Sequence, residues 1–140
     1  MNIIQALRTL SGLTSAESVL TSAPPKPPAG LSLFAIVEES DENPRLQFLG
    51  NSSTNNALIT VSLFAPPRAL DGLPADAVAL LDLYNQVMKP AFRNLVTDDI
   101  TPGLSQNHPF QFVSGAPPRF DRFYGGRTAN VRFRIVRQRQ

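Results

Sequence analysis

The chain has 140 residues, 42% of them apolar and 17% charged, with a net charge of +2, thirteen prolines and no cysteine. Such a length builds one domain, expected to span residues 1–140, that buries roughly two-thirds of the surface its unfolded chain exposes. Without cysteine there is no disulfide, thiolate metal site, iron–sulfur cluster or cysteine nucleophile, and a single histidine excludes a multi-histidine metal site within the chain.

The first expected element is a short helix over residues 3–10. Ile3, Ile4, Leu7 and Leu10 share one face there, and Ser11-Gly12 supplies a stop. Arg8 and Glu17 interrupt the apolar pattern of the first twenty residues, which do not read as a signal peptide. No stretch approaches the ~20 apolar residues of a membrane-spanning helix. Residues 21–30 hold four prolines in five positions and form an extended linker or arm. The segment reads either as a spacer between helix and strand or as a ligand for a proline-binding module. Strands are expected over 31–38 and 45–49, with an acidic turn at 39–44 between them. Residues 50–56, Gly-Asn-Ser-Ser-Thr-Asn-Asn, have turn chemistry. Residues 57–64 give a strong strand. Ala57, Ile59, Val61 and Leu63 occupy one face, Leu58, Thr60, Ser62 and Phe64 the other, which suggests a sheet with one well-covered face.

The longest helical signal covers residues 74–96. Ala77, Leu80, Leu81, Tyr84, Met88, Ala91 and Leu95 mark a stripe that Val87 and Phe92 broaden, and Pro74 and Asp76 suit the first turn. Pro90 predicts a bend or a division into two segments. Residues 97–109 form a long loop. A strand over 110–113, a break at Gly115-Ala-Pro-Pro118, a strand over 120–124 and a tight turn at Gly125-Gly126 follow. In the final strand, 128–137, Ala129, Val131, Phe133 and Ile135 oppose Asn130, Arg132 and Arg134. The expected fold is α+β: a mostly antiparallel sheet packed against one long central helix, with a short N-terminal helix.

Charge is unevenly placed. Residues 1–70 carry four basic and five acidic side chains; residues 71–140 carry nine and six. Arg119, Arg122, Arg127, Arg132, Arg134, Arg137 and Arg139 stand against Asp121 alone, and arginine favours planar contacts to carboxylate or phosphate. The acidic counterpart is Glu38, Glu39, Asp41 and Glu42. Three readings share these residues. The first five arginines pair with the acidic run of a neighbouring subunit. Alternatively they neutralise phosphates while Phe120, Phe123 and Tyr124 stack on bases. Or they line a solvated sheet face.

Catalytic signals are weak. His108, between Asn107 and Pro109 in the long loop, is the only histidine base, and no Gly-rich phosphate loop is present. The pairs Glu38-Glu39 and Asp98-Asp99 have cation or acid–base chemistry in principle, but adjacent strand residues point to opposite faces. The expectation is a non-enzyme with no catalytic residue, metal or cofactor.

The order of elements (3–10, 21–30, 31–64, 74–96 and 110–137) resembles that of the tail terminator and related neck proteins of long-tailed phages. The resemblance covers nearly the whole chain and is carried by architecture and size. It implies a structural virion protein: a homo-oligomeric, hexameric ring that joins tail tube to head after assembly in the host cytoplasm. Its partners would be further virion structural proteins, with non-specific contact to DNA in the lumen and no membrane. The alternatives are a small basic nucleic-acid-binding module, a peptide-binding adaptor working through residues 21–30, or another virion part such as a tube, head-completion or minor capsid protein.

Overall fold

The computed structural model describes residues 3–41, 54–67, 77–96, 104–105 and 111–139. Three helices lie among them: α1 (Ile3–Arg8), α2 (Ala77–Met88) and α3 (Pro90–Leu95). The strands are β1 (Val19–Leu20), β2 (Phe34–Asp41), β3 (Thr54–Ala65), β4 (Leu104–Ser105), β5 (Gln111–Phe120) and β6 (Arg127–Arg139).

The strands join in one sheet of order β1-β2-β3-β6, and β4 and β5 take successive stretches of the far flank of β6. β1 runs parallel to β2; the remaining pairs are antiparallel. The longest ladder joins β3 to β6, from Thr54 opposite Gln138 to Ala65 opposite Arg127.

Strand alternation gives the sheet two faces. On the first, Ala35, Val37, Ile59, Val61, Leu63, Ala129, Val131 and Phe133 are buried in one cluster with Leu80, Leu83, Val87 and Phe92 of the helices and Ile3 and Leu7 of α1. Each large apolar side chain so buried contributes about 1.5–3 kcal/mol relative to exposure. The sequence patterns of 57–64 and of Ala129, Val131 and Phe133 place this face correctly. Among the described residues the second face is covered at one end only. Phe34 and Ile36 are buried there as well. The segment 21–30 leads from β1 to β2, rather than from helix to strand, and meets the turn after β5 where the Tyr124 hydroxyl donates to the Pro24 carbonyl at 2.7 Å.

The single long central helix expected over 74–96 does not form; the fold is dominated by a mixed sheet with small helices. Lys89 is extended (φ −71°, ψ 145°) and Pro90 opens α3 as a first-turn residue. Proline lacks the N–H that would continue α2, and its ring disfavours helical backbone at the residue before it. The buried stripe also differs from the expected one. Leu80, Leu83, Val87 and Phe92 face inward, whereas Leu81 and Leu95 are exposed. Pro74 and Asp76 lie outside the described residues.

Several strand limits are corrected too. β2 absorbs Glu39, Ser40 and Asp41 from the expected acidic turn, and β3 begins at Thr54 inside the expected 50–56 turn. β5 continues through Gly115-Ala-Pro-Pro118, where a break was expected. Two register shifts, at Phe112/Ser114 and Ala116/Arg119, absorb the irregularity. Prolines are tolerated because β5 has a strand on only one flank among the described residues. Within the expected 97–109 loop, Leu104 and Ser105 pair with Arg139 and Gln138. The expected strand at 45–49, Glu42, Asp98, Asp99 and His108 lie outside the described residues.

Gly126 is required by close approach: a Cβ there would collide with the Ala65 carbonyl oxygen at the end of β3. Backbone atoms have little room to yield, so Gly126→Ala is expected to lower the unfolding free energy by about 3 kcal/mol, read as a lower denaturant midpoint with an unchanged slope.

Candidate functional site

The turn joining β5 to β6 is Asp121-Arg122-Phe123-Tyr124-Gly125-Gly126. Aspartate readily accepts hydrogen bonds from backbone N–H groups just ahead of it. Asp121 is buried, and its carboxylate accepts the Phe123 N–H at 2.9 Å and the Tyr124 N–H at 3.2 Å. Its backbone N–H donates to the Gly126 carbonyl at 2.8 Å, and the Gly125 N–H donates back to the Asp121 carbonyl at 3.0 Å. Gly125 has φ +86°, a left-handed conformation suited to glycine.

Tyr124 anchors this turn to the second face. Its ring packs edge-on against Phe34 and Phe64, with centroids 5.5 and 5.3 Å away, and those two rings stack on each other at 4.9 Å. Burial, and then the nearby Asp121 carboxylate, push the Tyr124 phenol above its ordinary pKa. The hydroxyl therefore remains a donor to Pro24 at neutral pH.

Around this fixed backbone the side chains are turned outward. Phe120 and Phe123 are 67% and 68% exposed. Arg119, Arg122 and Arg127 are exposed beside them. The remaining candidate arginines are elsewhere. Arg132 is opposite Thr60, which is opposite Glu38, so all three share the second face. Glu38 and Arg132 are thus two strand spacings apart, about 10 Å between Cα atoms. Arg134 is opposite Leu58, which is opposite Ser40.

The acidic candidates lie on β2 alongside the arginines of mid-β6: Glu38 is in the row of Arg132, and Asp41 is in the row of Ile135, next to that of Arg134. Glu38 is exposed on the second face; Glu39 is exposed on the first, and Asp41 is opposite Ala57. Four residues along the strands and three strand spacings separate Glu38 from Arg119, about 20 Å. Arg132 therefore shares a row with an acid of its own chain, whereas Arg119, Arg122 and Arg127 have no such row and project from the far end.

The described residues hold no group of three His, Asp or Glu side chains arranged for a metal ion. The hollow beside the helix break is lined by Asp82, Asn85, Gln86, Met88, Lys89 and Pro90, which include no hydroxyl, thiol or imidazole. Among the described residues no helix is long and apolar enough to cross a membrane.

Sequence reasoning singled out Phe120 and Phe123 but set them on a strand that ran to Tyr124. The signal for the real geometry was Asp121 ahead of Gly125-Gly126, a side-chain-capped turn. Compared with protein-family models and with curated proteins, the chain finds no match.

Tyr124→Phe removes the donor to Pro24 and is expected to lower stability by about 1 kcal/mol at pH 7. A phenol whose pKa is raised by folding stabilises the fold below its unfolded value, and that contribution disappears as pH rises through the folded value. Wild-type stability should thus fall above about pH 10, and the variant should lack this component. Denaturant midpoints of both proteins between neutral and alkaline pH check the difference.

Proposed function

We propose that the chain is a structural assembly subunit: a ring-forming connector of the tail terminator or neck type, joining tail tube to head in a long-tailed phage virion. One observation carries this reading. Arg119, Arg122 and Arg127 are exposed at the turn end of one continuous sheet, and Arg119 stands about 20 Å from Glu38, which lies instead in the row of Arg132. Charges left without a counterpart in their own row are available to another copy, and repeated head-to-tail contacts close into rings when the rotation allows.

Within this reading the subunit closes a hexameric ring. Such a subunit needs no catalytic group. Its other partners are virion structural proteins, and arginines lining a lumen would touch DNA without reading its sequence. The nucleic-acid-binding module is the second reading. It draws on Arg119 and Arg132, whose partners Thr128 and Thr60 place both on the second face. Against it, Tyr124 is engaged with Phe34, Phe64 and Pro24, which leaves only two of the three candidate stacking rings.

Native mass spectrometry with negative-stain imaging across protein concentration tests the proposal. Closed rings of one subunit number are expected. A chain that stays monomeric and binds DNA with a steep salt dependence would replace this reading with the second.

A further inference from the structure

We infer that the β5–β6 turn is a contact site for single-stranded nucleic acid, in which the rings of Phe120 and Phe123 stack on bases and Arg119, Arg122 and Arg127 pair with the phosphates beside them. This goes beyond the assembly reading: a ring subunit and a monomer can carry such a site equally.

The turn and its entry hold the same pair of residues twice, Arg119-Phe120 and Arg122-Phe123. Between the pairs, Asp121 is buried and spends both carboxylate oxygens on the N–H groups of Phe123 and Tyr124. Each pair joins a guanidinium to an aromatic ring in adjacent positions. Arg127 stands opposite Phe120 in the β5–β6 ladder and adds a further cation on that side. A single nucleic-acid strand repeats the complementary pair, one anionic phosphate and one planar base in each unit. Arginine forks onto phosphate oxygens, and every base has a face that stacks on an aromatic ring.

The rings are held ready for such stacking. Phe123 packs edge-on against Tyr124, with centroids 4.5 Å apart, yet stays largely exposed, as does Phe120. Tyr124 is fixed in turn by Phe34, Phe64 and the Pro24 carbonyl, and Gly126 lies hard against β3. Tyr124 thus supports a stacking ring rather than serving as a third one. A surface ordered before binding loses less entropy when it binds.

Charge and shape together select the occupant. Residues 119–127 set three exposed arginines against one buried aspartate. Glu38 lies about 20 Å from Arg119, beyond the reach of about 10 Å that exposed charges have at about 0.1 M salt. The end of the sheet therefore presents a positive field to an approaching polyanion. A duplex supplies phosphates but keeps its base faces stacked inside, away from both phenylalanines. An acidic peptide supplies carboxylates without a planar group in every unit. A single strand supplies both phosphates and open base faces.

The test is fluorescence anisotropy of a labelled oligothymidylate of about ten residues, a length within the usual site sizes, over a salt series. Three phosphate contacts give an expected log–log salt slope of about −2. Phe120→Ala and Phe123→Ala should each weaken binding about ten-fold and leave that slope unchanged. Arg119→Gln combined with Arg122→Gln should instead reduce the slope by about 1.4. Oligouridylate of the same length should bind within about three-fold, because ring and guanidinium leave the sugar unread. The same sequence in duplex form should bind about ten-fold more weakly. These side chains are exposed, so circular dichroism and denaturant midpoints should match wild type. If an alanine variant misfolds, Phe120→Leu and Phe123→Leu decide, since they keep apolar bulk and lose the ring.

No binding of oligothymidylate at low salt, or phenylalanine variants that bind it as wild type does, would overturn the inference and leave the assembly reading standing. Duplex bound as tightly as the single strand, or polyglutamate bound more tightly, would reassign the turn to that partner. Variants that keep oligothymidylate affinity but no longer form rings would assign the turn to a subunit contact instead.

Discussion

Strand β6 is hydrogen-bonded along both flanks, to β3 on one side and to β5 and β4 on the other. Its side-chain alternation is therefore imposed on its neighbours, because residues directly opposite in a ladder share a face. Ala129, Val131 and Phe133 commit Leu63, Val61 and Ile59 to the same side, and those commit Ala35, Val37 and Glu39 in turn. A one-residue slip would send Phe133 to solvent and a row of arginines into the core. The helices follow from this choice. Phe92 packs on Phe133 with centroids 6.0 Å apart, and Gly115 lets β5 lie close beneath Tyr84 and Met88, where a Cβ would meet atoms of both at 2.8 Å.

The same constraint divides the second face. Toward the turn, Phe34, Phe64 and Thr128 need cover, which comes from Tyr124 and the proline-rich segment. Thr128 is buried with its hydroxyl donating to the Leu63 carbonyl at 3.0 Å. Further along, Thr60, Glu38 and Arg132 are compatible with water, and the face is left polar. The covered half fixes the turn and the arginines beside it; the polar half carries Glu38 and Arg132 in one row.

Much of this was legible in the sequence wherever period-two alternation was clean. Residues 57–64 and 129–133 announced their faces, and Gly125-Gly126 announced the turn. The sequence was less legible where a local breaker was overruled by pairing. Gly115-Ala-Pro-Pro118 reads as a break because prolines remove ladder donors, yet an edge strand with bulges accommodates them. Thr54, Asn55 and Asn56 read as turn and are strand, because β6 is long enough to pair with them. The helix layer failed in the opposite way. The apolar stripe of 74–96 was read as one surface, although Pro90 resets the helix axis and with it the face presented to the sheet. The candidate arginines were all visible as residue types. Their division into a turn group and a mid-sheet group depends on register, which no spacing along the chain discloses.

The β3–β6 ladder has a consequence for the order of folding. Its partners lie more than sixty residues apart, and both α2 and α3 fall between them in the chain. Loop closure on that scale precedes the reward of the contacts, which makes such pairing slow. During synthesis the ribosome delivers β6 after every other strand of the sheet. Until then Val61 and Leu63 have neighbours on the β2 side only, and the helices have no Phe133 to pack upon. The nascent chain thus holds an unfinished sheet flank in reserve, and completion of the core is coupled to the arrival of its last strand.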